Sequence, residues 1–288
     1  MIIITGASGQ LGSAVVDHLL RLVPAEQIGV SVRDPQKLAS LAQRGVRVRR
    51  GDFADPASLR DACEGASQVL IVSANSTGAE TVRQHLNAID AAVAAGAKRI
   101  LYTSHMGADP SSPFPPMPDH AATEEALRAS GTAFTSLRNG FYASTVPRLL
   151  RHALHTGELR VPQDGPVAWT AHADLAEAAS RILVDGRFDG RTPPLTGPDA
   201  IDMNRVAEIA SHITGRAIRR VVISDDEYRH DLLSAGLPAP AAEMLVGLFA
   251  ASRRGDFRPA DPALATLIDR PATTIEDYLR GSLPATDN

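Results

Sequence analysis

Among the 288 residues there is a single cysteine, Cys63, so no intramolecular disulfide framework can form and a reducing compartment is implied. Cys63 falls in a helical pattern and reads as a buried, inert thiol. No apolar run approaches the ~18 residues that a membrane-spanning helix requires. Met1 leads straight into an apolar strand pattern with no basic leader or cleavage site, which predicts a soluble cytoplasmic protein with no membrane partner. Basic charge is not in excess: the net charge is −4 and the pI is near 6.1. Without an extended basic face, direct nucleic-acid binding is not expected, and any anion must be held locally. Internal repeats are lacking, and the only biased stretch is a proline-rich loop. The length suits about two domains at ~150 residues each.

What the chain does have begins at its first twelve residues. Ile2, Ile3 and Ile4 form a short apolar run that enters Gly6, Gly9 and Gly12, and Leu11, Val15, Leu19 and Leu20 follow at helical spacing. The pattern is strand, tight turn, helix. Gly6 permits the sharp turn, Gly9 clears space for a pyrophosphate, and Gly12 allows the helix to pack closely. The phosphates would sit on the free N–H groups of the helix start, which makes Gly6, Ser8, Gly9, Gln10 and Leu11 cofactor contacts. Ser8 does not read as a nucleophile, because Gly-Ala-Ser-Gly lacks the spacing of a nucleophile elbow.

Downstream, β-branched runs alternate with helical patterns. Strands are expected at 28–32, 46–49, 69–72, 99–104 and 133–137, and helices at 35–44, 56–63, 78–95 and 120–130. This rhythm predicts an α/β fold, a Rossmann-type doubly wound parallel sheet with ligands at the carboxyl ends of its strands. After Leu137 the pattern loosens into helices at 144–155, 175–184, 203–214, 226–235 and 241–253, with short strands near 160–161, 195–196 and 218–223. A smaller, partly interleaved α+β lobe is expected there. The domain reading is 1–145 for the nucleotide domain, with a helix near 173–185 packing back on it, and 146–288 for a substrate lobe. His105 to Asp119 holds five prolines and exceeds the usual connection of about 4–6 residues. A lid that closes as a stiff piece is expected there, with Phe114 or Met117 capping the substrate; the alternative is a disordered surface loop that never meets the ligand.

The second strand ends Val32-Arg33-Asp34, with Lys37 a turn later. An acidic residue at that point takes a ribose 2′-hydroxyl, whereas arginine accommodates a 2′-phosphate. Arg33 and Lys37 therefore favour NADP over NAD, unless Arg33 is an exposed partner of Asp34 or Asp55. Asp52 is placed to accept from an adenine amino group with Phe53 beside the ring, or else to serve as a helix-start carboxylate before Pro56.

The Thr5-Gly-x-x-Gly-x-x-Gly12 loop, Arg33, Gly51-Asp52, Ser73-Ala74-Asn75, the run His120 to Gly131 and the run Leu137 to Tyr142 resemble atypical short-chain dehydrogenases of the NmrA-like group. Within it, they most resemble the NADPH-dependent quinone oxidoreductase and triphenylmethane reductase branch. The resemblance extends through Ala173 to Ala178 and Thr196-Gly197-Pro198, where the family builds its substrate pocket. It implies an NADP(H) domain and a cleft over the nicotinamide. Ser73, Ala74, Asn75, Thr103, His120, Gly140 and Phe141 are further candidate cofactor contacts, with Ser104 and Asn139 candidates by position alone. Ordinary short-chain dehydrogenases use a Tyr-x-x-x-Lys pair as proton donor. Here Tyr102, Tyr142, Tyr228 and Tyr278 are followed four places on by Met106, Val146, Leu232 and Ser282. A simple ketone is thus disfavoured, and an electron-poor acceptor such as a quinone or cationic dye is expected.

His120 sits where the family places a histidine or lysine near the nicotinamide ribose. It is the candidate catalytic residue, with Glu124 one helical turn on; the alternative is a ribose-binding role with no proton transfer. Phe114, Met117, Tyr142 and Trp169 are the candidate substrate contacts, and Leu248 and Phe249 either line the pocket with them or plug it. His152 and His155 share a helix face without further ligands, so no metal is expected. The competing function is a non-catalytic NAD(P)-sensing regulator, which the same resemblance includes. A monomer or homodimer acting on a small molecule is expected.

Overall fold

Ile2–Thr5 and Ile28–Val32 are buried at every position and Gln68–Ile71 at all but the first, as strands covered by helices on both faces must be. The computed structural model of the protein describes residues 1–284. In chain order the elements are β1 (Ile2–Thr5), α1 (Gln10–Leu19), β2 (Ile28–Val32), α2 (Ala39–Gln43), β3 (Arg47–Arg50), α3 (Pro56–Cys63), β4 (Gln68–Ile71), α4 (Ala79–Ala94), β5 (Arg99–His105), α5 (Pro116–Ala129) and β6 (Ala133–Asn139). There follow β7 (Phe141–Tyr142), α6 (Val146–Leu150), α7 (Ala153–Thr156), β8 (Glu158–Pro162), β9 (Val167–Thr170), α8 (His172–Asp185), β10 (Gly190–Arg191) and β11 (Ala200–Ile201). The chain continues through α9 (Met203–Thr214), β12 (Arg219–Ile223), α10 (Asp225–Ser234), α11 (Ala239–Arg254), α12 (Ala263–Ile268) and α13 (Ile275–Arg280).

Two units divide these elements. The first comprises residues 1–110, 116–139 and 172–195, and the second comprises 111–115, 140–171 and 196 onward. The first unit carries a seven-stranded sheet in the order β10-β6-β5-β4-β1-β2-β3. Every pairing in it is parallel. The strand order reverses at β1, between β2 and β4, the position at which doubly wound sheets bind nucleotides. Beneath the sheet Ile3, Leu59, Val69, Ile71, Ile89 and Ile100 join one apolar core. Cys63 belongs to that core and its thiol is held protonated, with burial pushing its pKa up to about 11. On the other side α8 lies along α1, where the Ser180 hydroxyl donates to the Val15 carbonyl at 3.2 Å.

The second unit is built on a three-stranded sheet, β11-β9-β7, and a two-stranded one, β12-β8. Its helices α9 and α10 start on caps that the sequence supplies: the Asp202 carboxylate takes the Arg205 N–H, and the Ser224 hydroxyl takes the Glu227 N–H. Such caps satisfy N–H groups that have no acceptor within the helix. A buried ion pair joins Asp164 and Arg220 at 2.5 Å, and the other Asp164 oxygen accepts the Met203 N–H at the start of α9.

Several elements differ from the sequence expectation for identifiable reasons. The expected helix over 35–44 is a 3₁₀ turn (Pro35–Leu38) followed by the short α2, because Leu38 leaves the helical region with φ −118° and ψ 25°. The expected helix over 144–155 breaks into a 3₁₀ turn, α6 and α7. Near 195–196 there is a single bridge from Leu195 to Asn139 in place of a strand. α5 starts at Pro116, four residues before the expected position, since proline is tolerated in a first helical turn, where the N–H is unused.

The largest difference concerns the supposed lid from His105 to Asp119. His105 ends β5, and residues 116–119 are helical. The intervening Ser111–Pro115 is packed into the second unit. Ser112 donates its hydroxyl to Asp256, Arg254 donates to the Ser111 carbonyl, and Phe114 is buried against Phe141 and Phe257. Gly247 leaves room for this segment, because a Cβ there would stand 2.6 Å from the Pro113 carbonyl oxygen. Side-chain packing holds Ser111–Pro115 as well as proline stiffness, so the stretch is not a free loop.

Candidate functional site: a bare helix start and a histidine cluster

At the tip of β1 the backbone turns at Gly6, whose φ is +61°, a conformation that side chains disfavour. Gly6 donates its N–H to the Ser31 carbonyl of β2. The Thr5 hydroxyl accepts the Val72 N–H just beyond β4. A Cβ on Gly12 would stand 2.4 Å from the Gly6 carbonyl oxygen, so only glycine lets α1 start this close to the turn. Gly9 is the extended N-cap of α1, no side chain caps that helix, and its first turn holds no acidic residue. Its first N–H groups lack intrahelical acceptors and their dipole favours an anion. Ser8, Gly9 and Gln10 are exposed beside them, and Leu11 turns its side chain into the core.

Arg33 and Lys37 are exposed, and neither forms an ion pair among the described residues. The partners considered for Arg33 are engaged elsewhere: Asp34 accepts the Gln36 N–H, and Asp55 pairs with Arg50 at 2.7 Å. Asp55 is also the cap of α3, taking the Ser58 N–H. The helix-start carboxylate is therefore Asp55 and not Asp52, whose Oδ1 takes the Ala54 N–H in a tight turn. Phe53 is half-buried against the core, with its ring edge toward His85. These features fit a dinucleotide. The helix start is open to a pyrophosphate, and two unpaired cations follow β2 where a 2′-phosphate would be read.

Behind this surface lies a cluster that sequence spacing did not bring together. The Ala74 N–H donates to His85 Nε2 at 2.9 Å, so the neutral ring carries its proton on Nδ1. That proton faces the Thr123 hydroxyl at 2.9 Å, which donates in turn to the Asp119 carbonyl. Tyr102, completely buried on β5, places its hydroxyl 2.7 Å from His120 Nδ1 and 3.4 Å from His85 Nδ1. With the His85 proton pointing outward, the Tyr102 O–H is directed to His120, which then carries its own proton on Nε2. His105 stacks on His120 and accepts the Gly107 N–H through Nδ1. The Asp119 carboxylate takes the Gly78 N–H at the start of α4, and burial raises its pKa against that bond.

All three rings are held neutral. Burial lowers the pKa of His85 to about 4 and, with the Arg138 charge adding to it, that of His105 to about 3. His120 falls well below its ordinary value through burial and then through His105 and His85.

Other predicted site residues have partners inside the fold. The Ser73 N–H donates to the Thr103 hydroxyl, which donates to the Ser73 hydroxyl. Ser104 gives its hydroxyl to Glu124. Thr103 and Ser104 are thus buried, hydrogen-bonded members of the sheet tip. Glu124 does not back His120 either. Its fully buried carboxylate takes Arg138 through two nitrogens, at 3.1 and 2.8 Å, and Arg191 at 2.6 Å, tying α5 to β6 and β10. Ala74 and Asn75 follow β4 toward the surface, and Asn139 is buried at the tip of β6 opposite His105.

Met117, expected in the lid, has no exposed surface and is a core residue of α5. Phe114 and Trp169, expected to face substrate, are 7% and 1% exposed. Each packs against Phe141 in the aromatic cluster of the second unit, so their faces are used by one another. Leu248 and Phe249 are buried in the same unit. Gly140 is buried, and Tyr142 is half-buried on β7, paired with Thr170. Tyr102, His85, Thr123 and Asp119 were missed, and only the position of Tyr102 near a strand end signalled a role.

A profile described as the NmrA-like family matches residues 1–279. The chain is 36% identical over 281 residues to quinone oxidoreductase 2 of Escherichia coli (strain K12), with 96% of each covered. The solved structure of NADPH-dependent quinone oxidoreductase from Escherichia coli complexed with NADPH has a TM-score of 0.93 at 35% identity, covering 98% of this chain and 99% of that one. Triphenylmethane reductase of Citrobacter sp. complexed with NADP(H) has a TM-score of 0.91 at 33% identity, covering 98% and 100%.

The neutral histidines set a pH dependence. Below about 6.5 the unfolded chain takes up protons that His85 and His105 refuse in the fold. Stability is therefore fully present above that pH and declines as pH falls toward their folded pKa values of about 4 and about 3. Each such group contributes up to about 1.4 kcal/mol per pH unit. Thermal unfolding measured from pH 7 to 4.5 should show this decline, and His85→Gln should flatten it. An unchanged slope in the variant would show that His85 is not held neutral.

Proposed function

The chain belongs to the NmrA-like family, and on that premise we propose that it passes hydride from NADPH to a quinone-like or conjugated, electron-poor acceptor. It is an oxidoreductase whose cofactor is NADP(H). The observation that carries the choice of acceptor is the setting of Tyr102. Its hydroxyl is buried and given to His120, and the whole chain holds only two lysines, Lys37 and Lys98. A ketone reductase needs a tyrosine presented to the developing alkoxide with a lysine lowering its pKa. That arrangement is missing, so the acceptor must be one whose reduced form is already stable.

When bound, reduced NADP(H) supplies the hydride. The open N–H groups after Gly9 would hold the pyrophosphate. Arg33 and Lys37 would hold the 2′-phosphate, and the turn at Asp52 the adenine edge. The Tyr102 O–H fixes His120 in the Nε2–H tautomer, and His120 offers that N–H as a donor. A quinone needs one proton for each hydride it accepts; the neutral His120 would hydrogen-bond the developing oxyanion through Nε2–H, and the proton itself would come from water. A cationic triarylmethane dye becomes neutral on accepting hydride and needs no proton.

Two outcomes follow. Since a charge-assisted contact to phosphate contributes about 1.5–3 kcal/mol, Arg33→Ala should weaken NADPH by about tenfold or more while NADH changes little. Titration of both cofactors into both proteins checks this, and equal affinities in the unaltered chain would remove the basis for the preference. In steady-state turnover the protein should oxidise NADPH with a small quinone and with a cationic dye but not with cyclohexanone. His120→Ala should lower kcat for the quinone by about tenfold or more and leave dye reduction nearly unchanged. Ketone turnover at the quinone rate would sink the acceptor assignment, and equal losses on quinone and dye would reduce His120 to a binding residue.

A further inference from the structure

The second unit contains a cavity of about 980 Å³ with no part in the reading above. Its size falls in the range of small-molecule sites, ~300–1,000 Å³. It lies among α6, α7, β8, α10 and α11, and its walls include Leu149, Leu159, Leu232, Leu237 and Leu245. Tyr228 also lines it. That residue is 7% exposed and stands edge-on to Phe249. Its hydroxyl has no hydrogen-bond partner among the described residues, and burial raises its pKa, so it remains a protonated donor within an otherwise apolar space.

The charges around this cavity are unevenly satisfied. Glu158 is paired with Arg219, and Arg160 is shared between Glu227 and Asp231. The acidic lining residues are thereby neutralised. Arg148 and Arg151 also line the cavity, yet neither forms an ion pair among the described residues, and His152 and His155 stand exposed with them on the same stretch. A largely apolar cavity with a tyrosine hydroxyl and two unmatched guanidinium groups among its lining is complementary to a hydrocarbon body bearing a carboxylate or sulfonate. We propose that this cavity is a binding site for an apolar organic anion, held by Arg148, Arg151 and the Tyr228 hydroxyl. This site stands independently of the hydride-transfer assignment.

Isothermal titration of the full chain, without NADPH, with decanoate and with 1-decanol tests it. Decanoate should bind saturably at one site per chain and more tightly than 1-decanol. Arg148→Ala/Arg151→Ala, confined to exposed side chains, should weaken decanoate by about tenfold or more and 1-decanol by less than about twofold. Ala241→Trp, which adds an indole to the wall, should weaken both, and thermal unfolding would verify that this variant is folded. Absence of saturable decanoate binding, or equal effects of the arginine variant on the two probes, would overturn the proposal.

Discussion

The close approach of α1 to the turn after β1 is the constraint on which the site depends. The Gly6 carbonyl oxygen lies 2.4 Å from where a Cβ on Gly12 would stand, so the helix begins against the strand tip and not beyond it. Gly9 caps the helix with no side chain, which leaves its first N–H groups without a side-chain acceptor among the described residues. The Thr5 hydroxyl and the Gly6 N–H tie the same turn to the ends of β4 and β2. One junction thus fixes the anion site, the floor beside it, and its distance from Arg33 at the end of β2.

Much of this was legible in the sequence because it is local. Glycine spacing, β-branched runs and the helices at Pro56–Cys63 and Met203–Thr214 follow from neighbours within a turn or two, and Arg33 could be read from its offset along the chain. The rest depends on pairings between distant residues. β7, β10 and β11 are two residues each and exist only because a partner strand is present. Ser111–Pro115 looked like a free proline-rich loop, yet it is held by Asp256, Arg254 and Phe257 from far along the chain. Glu124 sits one helical turn from His120, but a carboxylate is drawn to the cations of β6 and β10 more strongly than to a neutral imidazole.

The histidine cluster gives the clearest case. His85, Tyr102, His120 and Thr123 come from α4, β5 and α5, and no spacing in the sequence brings them together. Their bonds form a directed chain: a backbone N–H sets the tautomer of His85, the released donor occupies Thr123, and the Tyr102 hydroxyl is left for His120. Burial keeps each ring neutral, so the cluster presents a weak donor rather than a cation. A weak donor suits acceptors that need little protonation, in keeping with the absence of a Tyr-x-x-x-Lys pair from this chain.

Isotope transfer tests the proposed direct delivery of hydride to an electron-poor centre most directly. NADPH carrying deuterium at its transferable position is turned over with a cationic triarylmethane dye, and the colourless product is analysed by mass spectrometry and proton NMR. Direct delivery predicts one deuterium on the central carbon of each dye molecule reduced. A product carrying solvent hydrogen at that carbon, or no reduced dye at all, would contradict it.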